Sequence, residues 1–273
     1  MGGICTPGYK SGFYSPRRGG VPKYPSLWRD CVAAYCPALG STGERLFDQA
    51  RGGIANYVGP GYSTSWGTGS GKTCLAFNTT FYYDCTPVVF MNGLTISAFV
   101  TNTGTGVRRE IIAQDLASGS ARNFHLRIET TERLSFFIWN SSVTLSNVVG
   151  ALPIPTGGVS HVVARWDASG SGAVNLFVNG VLDTNSGTLT GGPNATIHHT
   201  MRIGARSVSN LFAGNLFEVS VFDSVLSNSQ IMQMAKNGPG NMFELNRNYY
   251  ATIAAGGSFI PNFMHHYRQQ GVA

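Results

Sequence analysis

The sequence predicts an all-β protein, and three features of its composition carry that prediction. Only 12% of its 273 residues are charged, about half of the roughly 25% that is usual for a soluble domain, and 35 are glycine. The hydrophobic share is 42%, and these residues come in short runs that Gly, Ser, Thr and Asn interrupt. Short apolar runs between turn-forming residues are typical of strands. The same numbers argue against a coiled coil or a charge-rich disordered chain.

The first element is an extended basic arm over residues 1–27. Its four prolines and several glycines disfavour both a helix and a central strand. Residues 1–29 contain five Lys and Arg and no acid, so they hold +5 of the net charge of +6, and the rest is nearly neutral. These cations are not densely clustered, so we expect no nucleic acid as partner and instead an arm that docks on a protein surface. Its candidate contact residues are Tyr9, Lys10, Tyr14, Arg17, Arg18 and Lys23.

Strand signals follow at regular intervals from about residue 75. Residues 94–100 and 124–128 alternate apolar and polar side chains, as a strand with one buried face does. Asn179-Gly180 predicts a two-residue hairpin, because both central residues of a type I′ turn need positive φ. Further strands are predicted at 134–138, 161–166, 174–178 and 216–222.

One short helix is predicted near the C-terminus. Ser227 and Gln230 have the spacing of a capping box, and Gly238 with Pro239 ends the helix. The remaining residues, 237–273, are apolar enough to pack but show no clear period. We expect this extension to lie on the body or on a neighbouring molecule.

Five motifs, in order along residues 28–236, resemble the laminin G-like, concanavalin A-like jelly-roll family. They are Leu94 to Phe99 (LTISAF), His161 to Asp167 (HVVARWD), Leu176 to Val181 (LFVNGV), Met201 to Gly204 (MRIG), and Ala213 to Ser227 with its GNLFEV and FDSVLS segments. The resemblance implies a two-sheet antiparallel jelly-roll sandwich over residues 28–236, between the arm and the C-terminal extension. The sequence departs from the family's pattern at Phe217-Glu218, where the family usually has an Asp-Glu pair.

A second resemblance concerns residues 25–46, which are similar to the opening of stand-alone laminin G-like proteins from environmental bacterial and phage genomes. That resemblance implies a virion component such as a capsid decoration, cement or tail-attached protein. Its partners would be the major capsid or tail protein and further copies of itself, and it would assemble in the host cytoplasm. No signal peptide or apolar stretch of about 20 residues is found, so export and a membrane partner are not expected.

Enzymatic chemistry finds little support in the motifs. Residues 66–73 (WGTGSGKT) lack the first glycine of a phosphate-binding loop and no βαβ unit surrounds them. Glycoside hydrolysis needs two carboxylates about 5–10 Å apart, and none of the six Glu has a close partner on the same face of a strand. We therefore expect no enzyme and no cofactor. A bound calcium stays an open alternative, because relatives hold one at the rim, and its candidate ligands here are Asp115, Asp167, Asp183 and Asp223.

Two functions are compatible with these observations. The first is a non-enzymatic structural virion protein, docked through its terminal arms. The alternative is a carbohydrate-binding, lectin-like module for surface adhesion, in which aromatic rings stack on a glycan. The candidate glycan contacts are Tyr62, Trp66 and Trp139.

Overall fold

The structure is a computed structural model, and it describes residues 24–42, 45–59, 66–103, 106–115, 122–142, 144–168, 170–192, 199–206 and 210–243. The six candidate arm residues, Tyr62 and the chain beyond residue 243 lie outside these ranges. The described residues form sixteen strands and two α-helices, α1 (Pro25–Trp28) and α2 (Asn228–Asn237). The strands are β1 (Cys31–Tyr35), β2 (Leu46–Phe47), β3 (Ile54–Val58), β4 (Trp66–Gly69), β5 (Lys72–Asn78), β6 (Tyr82–Cys85), β7 (Leu94–Thr101), β8 (Arg109–Asp115), β9 (Arg122–Ile128), β10 (Arg133–Trp139), β11 (Leu145–Pro153), β12 (Val159–Trp166), β13 (Ala173–Val178), β14 (Val181–Thr188), β15 (Met201–Ile203) and β16 (Ala213–Phe222).

The strands form two eight-stranded antiparallel sheets that pack face to face. Sheet I has the order β14-β13-β12-β7-β16-β5-β4, and β1 pairs with the second half of β16. Sheet II has the order β11-β10-β9-β8-β15-β6-β3-β2. This arrangement confirms the predicted two-sheet jelly-roll sandwich with one short C-terminal helix.

The core lies between the sheets and is built by alternation along each strand. On β9 the side chains of Phe124, Leu126 and Ile128 are fully buried in this core, so the residues between them belong to the outer face of sheet II. Trp166 is the largest side chain in the core, and its indole nitrogen donates a hydrogen bond to the carbonyl of Leu189 at 2.9 Å. Buried aromatic rings with satisfied polar atoms contribute much of the stabilisation of such a sandwich.

The outer face of sheet I is covered by the two helices and by residues 241–243. Helix α2 begins with the predicted capping box, in which the Ser227 hydroxyl accepts from the Gln230 amide and the Gln230 side chain accepts from the Ser227 amide. The indole nitrogen of Trp28 in α1 donates to the Met242 carbonyl at 2.6 Å. The described segments at the two ends of the chain therefore meet over the same face of sheet I.

The predicted hairpin joins β13 to β14. Asn179 and Gly180 have φ values of 53° and 80°, as a type I′ turn requires. Gly180 faces α2, and a Cβ built on it would lie 3.0 Å from the Met232 sulfur. Glycine is needed here both for its backbone conformation and for the close approach of the helix.

Four cysteines, Cys31, Cys36, Cys74 and Cys85, fall within the described residues, and all four are free thiols. Cys31 is half-buried and the other three are buried. None of the described helices is long and apolar enough to cross a bilayer.

Candidate functional site

The outer face of sheet II carries a row of side chains that runs across five neighbouring strands. Strand register aligns Asn147 on β11 with Phe137 on β10, His125 on β9, Ala113 on β8 and Arg202 on β15. Ala113 is the smallest member of the row. It lies on the strand between those of His125 and Arg202, so these two residues are two strand spacings apart, or roughly 10 Å. The row thus combines an aromatic ring, an imidazole and a guanidinium around a small residue.

His125 is the centre of this row. Its ring stacks on Phe137 with centroids 4.2 Å apart, and Nδ1 lies 3.1 Å from Glu110 Oε2. Burial lowers the pKa of His125, although the hydrogen bond to Glu110 opposes that shift. Neutral imidazole is therefore favoured at pH 7, with its proton on Nδ1 facing the carboxylate.

Guanidinium groups and carboxylates surround His125. Arg127 Nη2 lies 2.6 Å from Glu129 Oε1, Arg127 Nη1 lies 3.8 Å from Glu110 Oε1, and the guanidinium stands over the Phe137 ring at 4.4 Å. Arg206 Nη2 lies 2.6 Å from Asp115 Oδ2. Burial raises the pKa of Asp115, and the Arg206 charge opposes that shift. We call Glu110, Asp115, Arg122, His125, Arg127, Glu129, Ser135, Phe137, Trp139 and Arg206 the sheet II cluster.

Several buried polar atoms of the sheet II cluster make no hydrogen bond to the described protein. They are His125 Nε2, Ser135 Oγ, Glu110 Oε1, Asp115 Oδ1 and Arg206 Nε, whereas Asp115 Oδ2 is held by Arg206 Nη2 at 2.6 Å. Such atoms are rare in native proteins, and a concentration of them on one face indicates a place that binds water or a polar ligand. Half-exposed side chains border them: Phe137, Arg122 with 29% of its side chain exposed, and Arg202.

A second polar group lies on the opposite side of the molecule, under α2. Glu218 on β16 is fully buried beside a small cavity whose walls include Tyr24, Met234 and Met242. Its carboxylate accepts hydrogen bonds from the Gly240 amide at 2.7 Å and from the Ser220 hydroxyl at 3.2 Å. Burial raises the pKa of Glu218 to about 7, against these hydrogen bonds and the charge of Lys72. Since its oxygens are satisfied by the protein, we assign this group to the attachment of the C-terminal segment.

The sequence-predicted glycan contacts occupy different places. Trp66 is half-exposed on the edge strand β4 of sheet I, whereas Trp139 belongs to the sheet II cluster. Trp139 is only 4% exposed, with His125 stacked beside it at 5.8 Å and Arg122 over its ring at 5.4 Å. The structure therefore does not bring these two rings together, and Trp139 does not offer an open face for stacking. Tyr62 lies outside the described residues.

The four acids considered as calcium ligands are dispersed, and each has a protein partner. Asp183 accepts from the Ala151 and Leu152 amides at 2.8 Å, and Asp223 accepts from the Met91 amide at 2.6 Å. Asp167 receives the Ser171 amide at 3.3 Å, and Asp115 is paired with Arg206. Within the described ranges no three His, Cys, Asp or Glu side chains form a group that could hold a metal ion.

The sequence alone did not reveal the sheet II cluster. Strand pairing brings Glu110 and Glu129 to the same guanidinium, that of Arg127, although 19 positions separate them in the chain. One signal was available: His125 and Arg127 occupy the outer positions of a clearly alternating strand, as Ser135 and Phe137 do on the next. Polar and aromatic residues on the outer face of two adjacent predicted strands would have identified this face.

Two antiparallel eight-stranded sheets with one polar and aromatic outer face define a jelly-roll sandwich of the lectin type. The chain belongs to the concanavalin A-like lectin/glucanases superfamily, whose family model matches residues 78–232, more than half of the chain. No curated protein matches the sequence. The predicted virion role, with its arm and its particle partners, stays a prediction.

Solved structures of similar fold include domain 4 of AbnA, a GH43 extracellular arabinanase from Geobacillus stearothermophilus, in complex with arabinotriose. The two share 17% identity with a TM-score of 0.59 over 76% of this chain and 98% of that domain. The binding domain of Paraclostridial Mosquitocidal Protein 1 (10% identity, TM-score 0.54) and that of botulinum neurotoxin serotype G (12%, 0.54) each match over 76% of this chain. The match spans 52% and 51% of these toxin domains, about half their length. At these identities the likeness concerns the fold alone.

Proposed function

We propose that this chain is a non-enzymatic carbohydrate-binding module whose ligand lies on the outer face of sheet II. The observation that carries the proposal is the concentration of buried polar atoms without hydrogen bonds around His125, bordered by the half-exposed ring of Phe137. A sugar supplies hydroxyl groups for such atoms and an apolar ring face for an aromatic side chain. The likeness to an arabinanase domain solved with arabinotriose, and to toxin binding domains, supports a binding role.

A binding role without catalysis agrees with the state of the carboxylates. Glu129 lies 2.6 Å from Arg127, and Asp115 lies 2.6 Å from Arg206, so both are held by guanidinium groups. Glu110 is hydrogen-bonded to His125 at 3.1 Å. The two carboxylates of a glycosidase must flank the scissile bond, whereas the carboxyl groups of Glu110, Asp115 and Glu129 are buried and engaged by His125, Arg206 and Arg127.

A glycan array that includes arabinotriose tests the proposal, with the full-length chain as probe. We expect at least one oligosaccharide to bind, and Phe137→Ala to weaken that binding by about two- to tenfold, since an aromatic contact contributes roughly 0.5–1.5 kcal/mol. Trp66→Ala is the matched control, because that ring is also half-exposed but lies on sheet I. Thermal unfolding of both variants establishes that each is folded.

The outcomes separate the function from its location. An array without binding by folded protein would overturn carbohydrate binding. Binding that Trp66→Ala abolishes and Phe137→Ala leaves intact would overturn the assignment to sheet II.

A further inference from the structure

Guanidinium groups outnumber carboxylates on the outer face of sheet II. The described charged side chains of this face are six arginines and four acids: Arg108, Arg122, Arg127, Arg133, Arg202, Arg206, Asp84, Glu110, Asp115 and Glu129. With His125 neutral, the six positive and four negative charges leave this face positively charged. The neighbouring pair of Arg109 with Glu132 adds no net charge.

The charges that a ligand meets first are also mostly positive. Three of the four carboxylates are buried, whereas five of the six guanidinium groups are exposed or half-exposed. The exceptions are Asp84, which is half-exposed and lies 2.9 Å from Arg202, and Arg127, which is buried. Because a ligand approaches from the solvent, it contacts guanidinium groups before it reaches the buried carboxylates.

Three of the half-exposed guanidinium groups converge at one end of this face. Arg206 Nη2 lies 2.6 Å from Asp115 Oδ2 and Arg122 Nε lies 3.8 Å from Asp115 Oδ1, so both border the same carboxylate. Arg202 lies next to them, because its Nη1 donates to the Arg206 carbonyl at 3.5 Å. The carboxylates that pair with these three arginines are Asp115 and Asp84, which leaves one positive charge of the group uncompensated.

These guanidinium groups are held in place by the side chains beneath them. The Arg122 guanidinium lies over the Trp139 ring at 5.4 Å, and that of Arg202 lies over the Tyr82 ring at 4.9 Å. A guanidinium has five N–H donors in a planar fork, and one carboxylate occupies at most two of them. Arg206 Nε makes no hydrogen bond to the described protein. Donors that are held in this way bind a carboxylate at a small cost in side-chain entropy.

On the basis of the function proposed above, we infer that Arg122, Arg202 and Arg206 form a subsite for the carboxylate of an acidic sugar. Asp115 Oδ1, which accepts no hydrogen bond from the described protein, can accept one from a hydroxyl group of the same sugar. A uronic acid carries ring hydroxyl groups near its carboxylate, so it complements both the guanidinium groups and this oxygen. Inorganic sulfate would bring negative charge without a donor for Asp115.

The test compares pairs of immobilised oligosaccharides that differ only in a C6 carboxylate in place of a hydroxymethyl group. The full-length chain is the probe, at physiological ionic strength, and we expect the acidic member of any bound pair to bind at least tenfold more tightly. Equal or tighter binding of the neutral member would overturn the inference and leave the proposed function intact. Absence of binding to every sugar, neutral or acidic, refutes the proposed function instead, so the two failures are distinguishable.

The substitution Arg122→Gln tests whether this subsite, and not the general charge of the face, sets the preference. The preference for the acidic sugar should fall by about tenfold, as expected for the loss of a charge-assisted hydrogen bond. Arg133→Gln is the matched control, because it removes the same charge from the same sheet. Arg133 is exposed at the other end of β10 from Trp139, about 20 Å from the ring on which Arg122 lies.

Thermal unfolding establishes that both variants are folded. An equal fall in preference in the two variants would indicate general electrostatic attraction and overturn the subsite, as would an unchanged preference in folded Arg122→Gln. If Arg122→Gln does not fold, Arg202→Gln gives the same readout, since Arg202 is half-exposed and belongs to the same subsite.

Discussion

The buried carboxyl of Glu218 should make the stability of the sandwich depend on pH near neutrality. Burial raises the pKa of Glu218 from its ordinary value of 4.5 to about 7, so the folded state binds a proton that the unfolded chain has already released. The stabilisation is fully present below pH 4.5 and is lost as the pH rises through about 7. At about 1.4 kcal/mol for each pKa unit, the difference between 4.5 and 7 corresponds to about 3 kcal/mol.

The substitution Glu218→Gln isolates this contribution. Its amide oxygen can still accept from the Gly240 amide, which approaches the carboxylate at 2.7 Å, and its shape is nearly that of the protonated acid. At pH 5 wild type and variant should therefore differ by only about 1 kcal/mol or less, since the folded carboxyl is still protonated there. At pH 8.5 the variant should be more stable by about 2–3 kcal/mol, since it has no charge to bury.

Urea unfolding at several pH values between 5 and 8.5 measures the difference, and equal m-values in the two proteins show that both unfold to the same extent. The comparison is made between proteins because burial lowers the pKa of His125 and His161, which gives the stability an opposite dependence on pH below 6.5. A wild-type stability that follows the variant over the whole range would refute the assignment of a raised pKa to Glu218.

Two further predictions concern the same side of the molecule. Burial lowers the pKa of His161 from 6.5 to about 3, so the stability that neutral His161 contributes is present above pH 6.5 and is lost as the pH falls towards 3. In a His161→Phe variant the free energy of unfolding should therefore fall less steeply between pH 6.5 and pH 3. An equally steep fall in both proteins would contradict this reasoning. Gly180→Ala should destabilise the hairpin by about 2 kcal/mol in thermal or urea unfolding, more than Gly157→Ala does. Both glycines have φ of 80°, but only at Gly180 would the new Cβ meet α2, 3.0 Å from the Met232 sulfur. Equal losses of unfolding free energy in the two variants would therefore show that this contact has no cost.

The central strands could be predicted because apolar side chains that fill the core alternate along them with mostly polar side chains on the other face. Residues 94–100, 124–128 and 134–138 alternate clearly and correspond to β7, β9 and β10. The capping box and the Asn179-Gly180 turn were predictable for a local reason, since hydrogen bonds and φ values within a few residues determine them.

The strands before residue 75 and the strand β11 were harder to detect. β2 and β4 contain two and four residues, too few to display a period. β11 does alternate in burial, but its Asn147 and Gly150 have low strand propensity and obscure the pattern in the sequence.

The sheet II cluster could not be predicted because it depends on register between strands. Pairing between β8 and β9 shifts twice, between Glu110 and Ile112 and again between Gln114 and Asp115. The first irregularity changes which residue of β8 faces outward, so Glu110 shares the outer face with Ala113 and Asp115, which strict alternation does not give. Trp66 and Trp139 were predicted as glycan contacts from residue type alone, and residue type does not show on which sheet and which face a side chain lies.

The two outer faces of the sandwich show why one of them is suited to a ligand. On sheet I the outer residues Val163, Phe177 and Phe222 are apolar, and they pack with Ile231 and Met234 of α2. Because that surface is already paired with the chain's own helix, a partner would have to displace α2 to reach it. The outer face of sheet II instead carries ion-paired and hydrogen-bonding groups, and no described helix covers it. Polar atoms left without hydrogen bonds on such a face cost free energy in the unbound protein, and a hydroxylated ligand that satisfies them recovers that cost on binding.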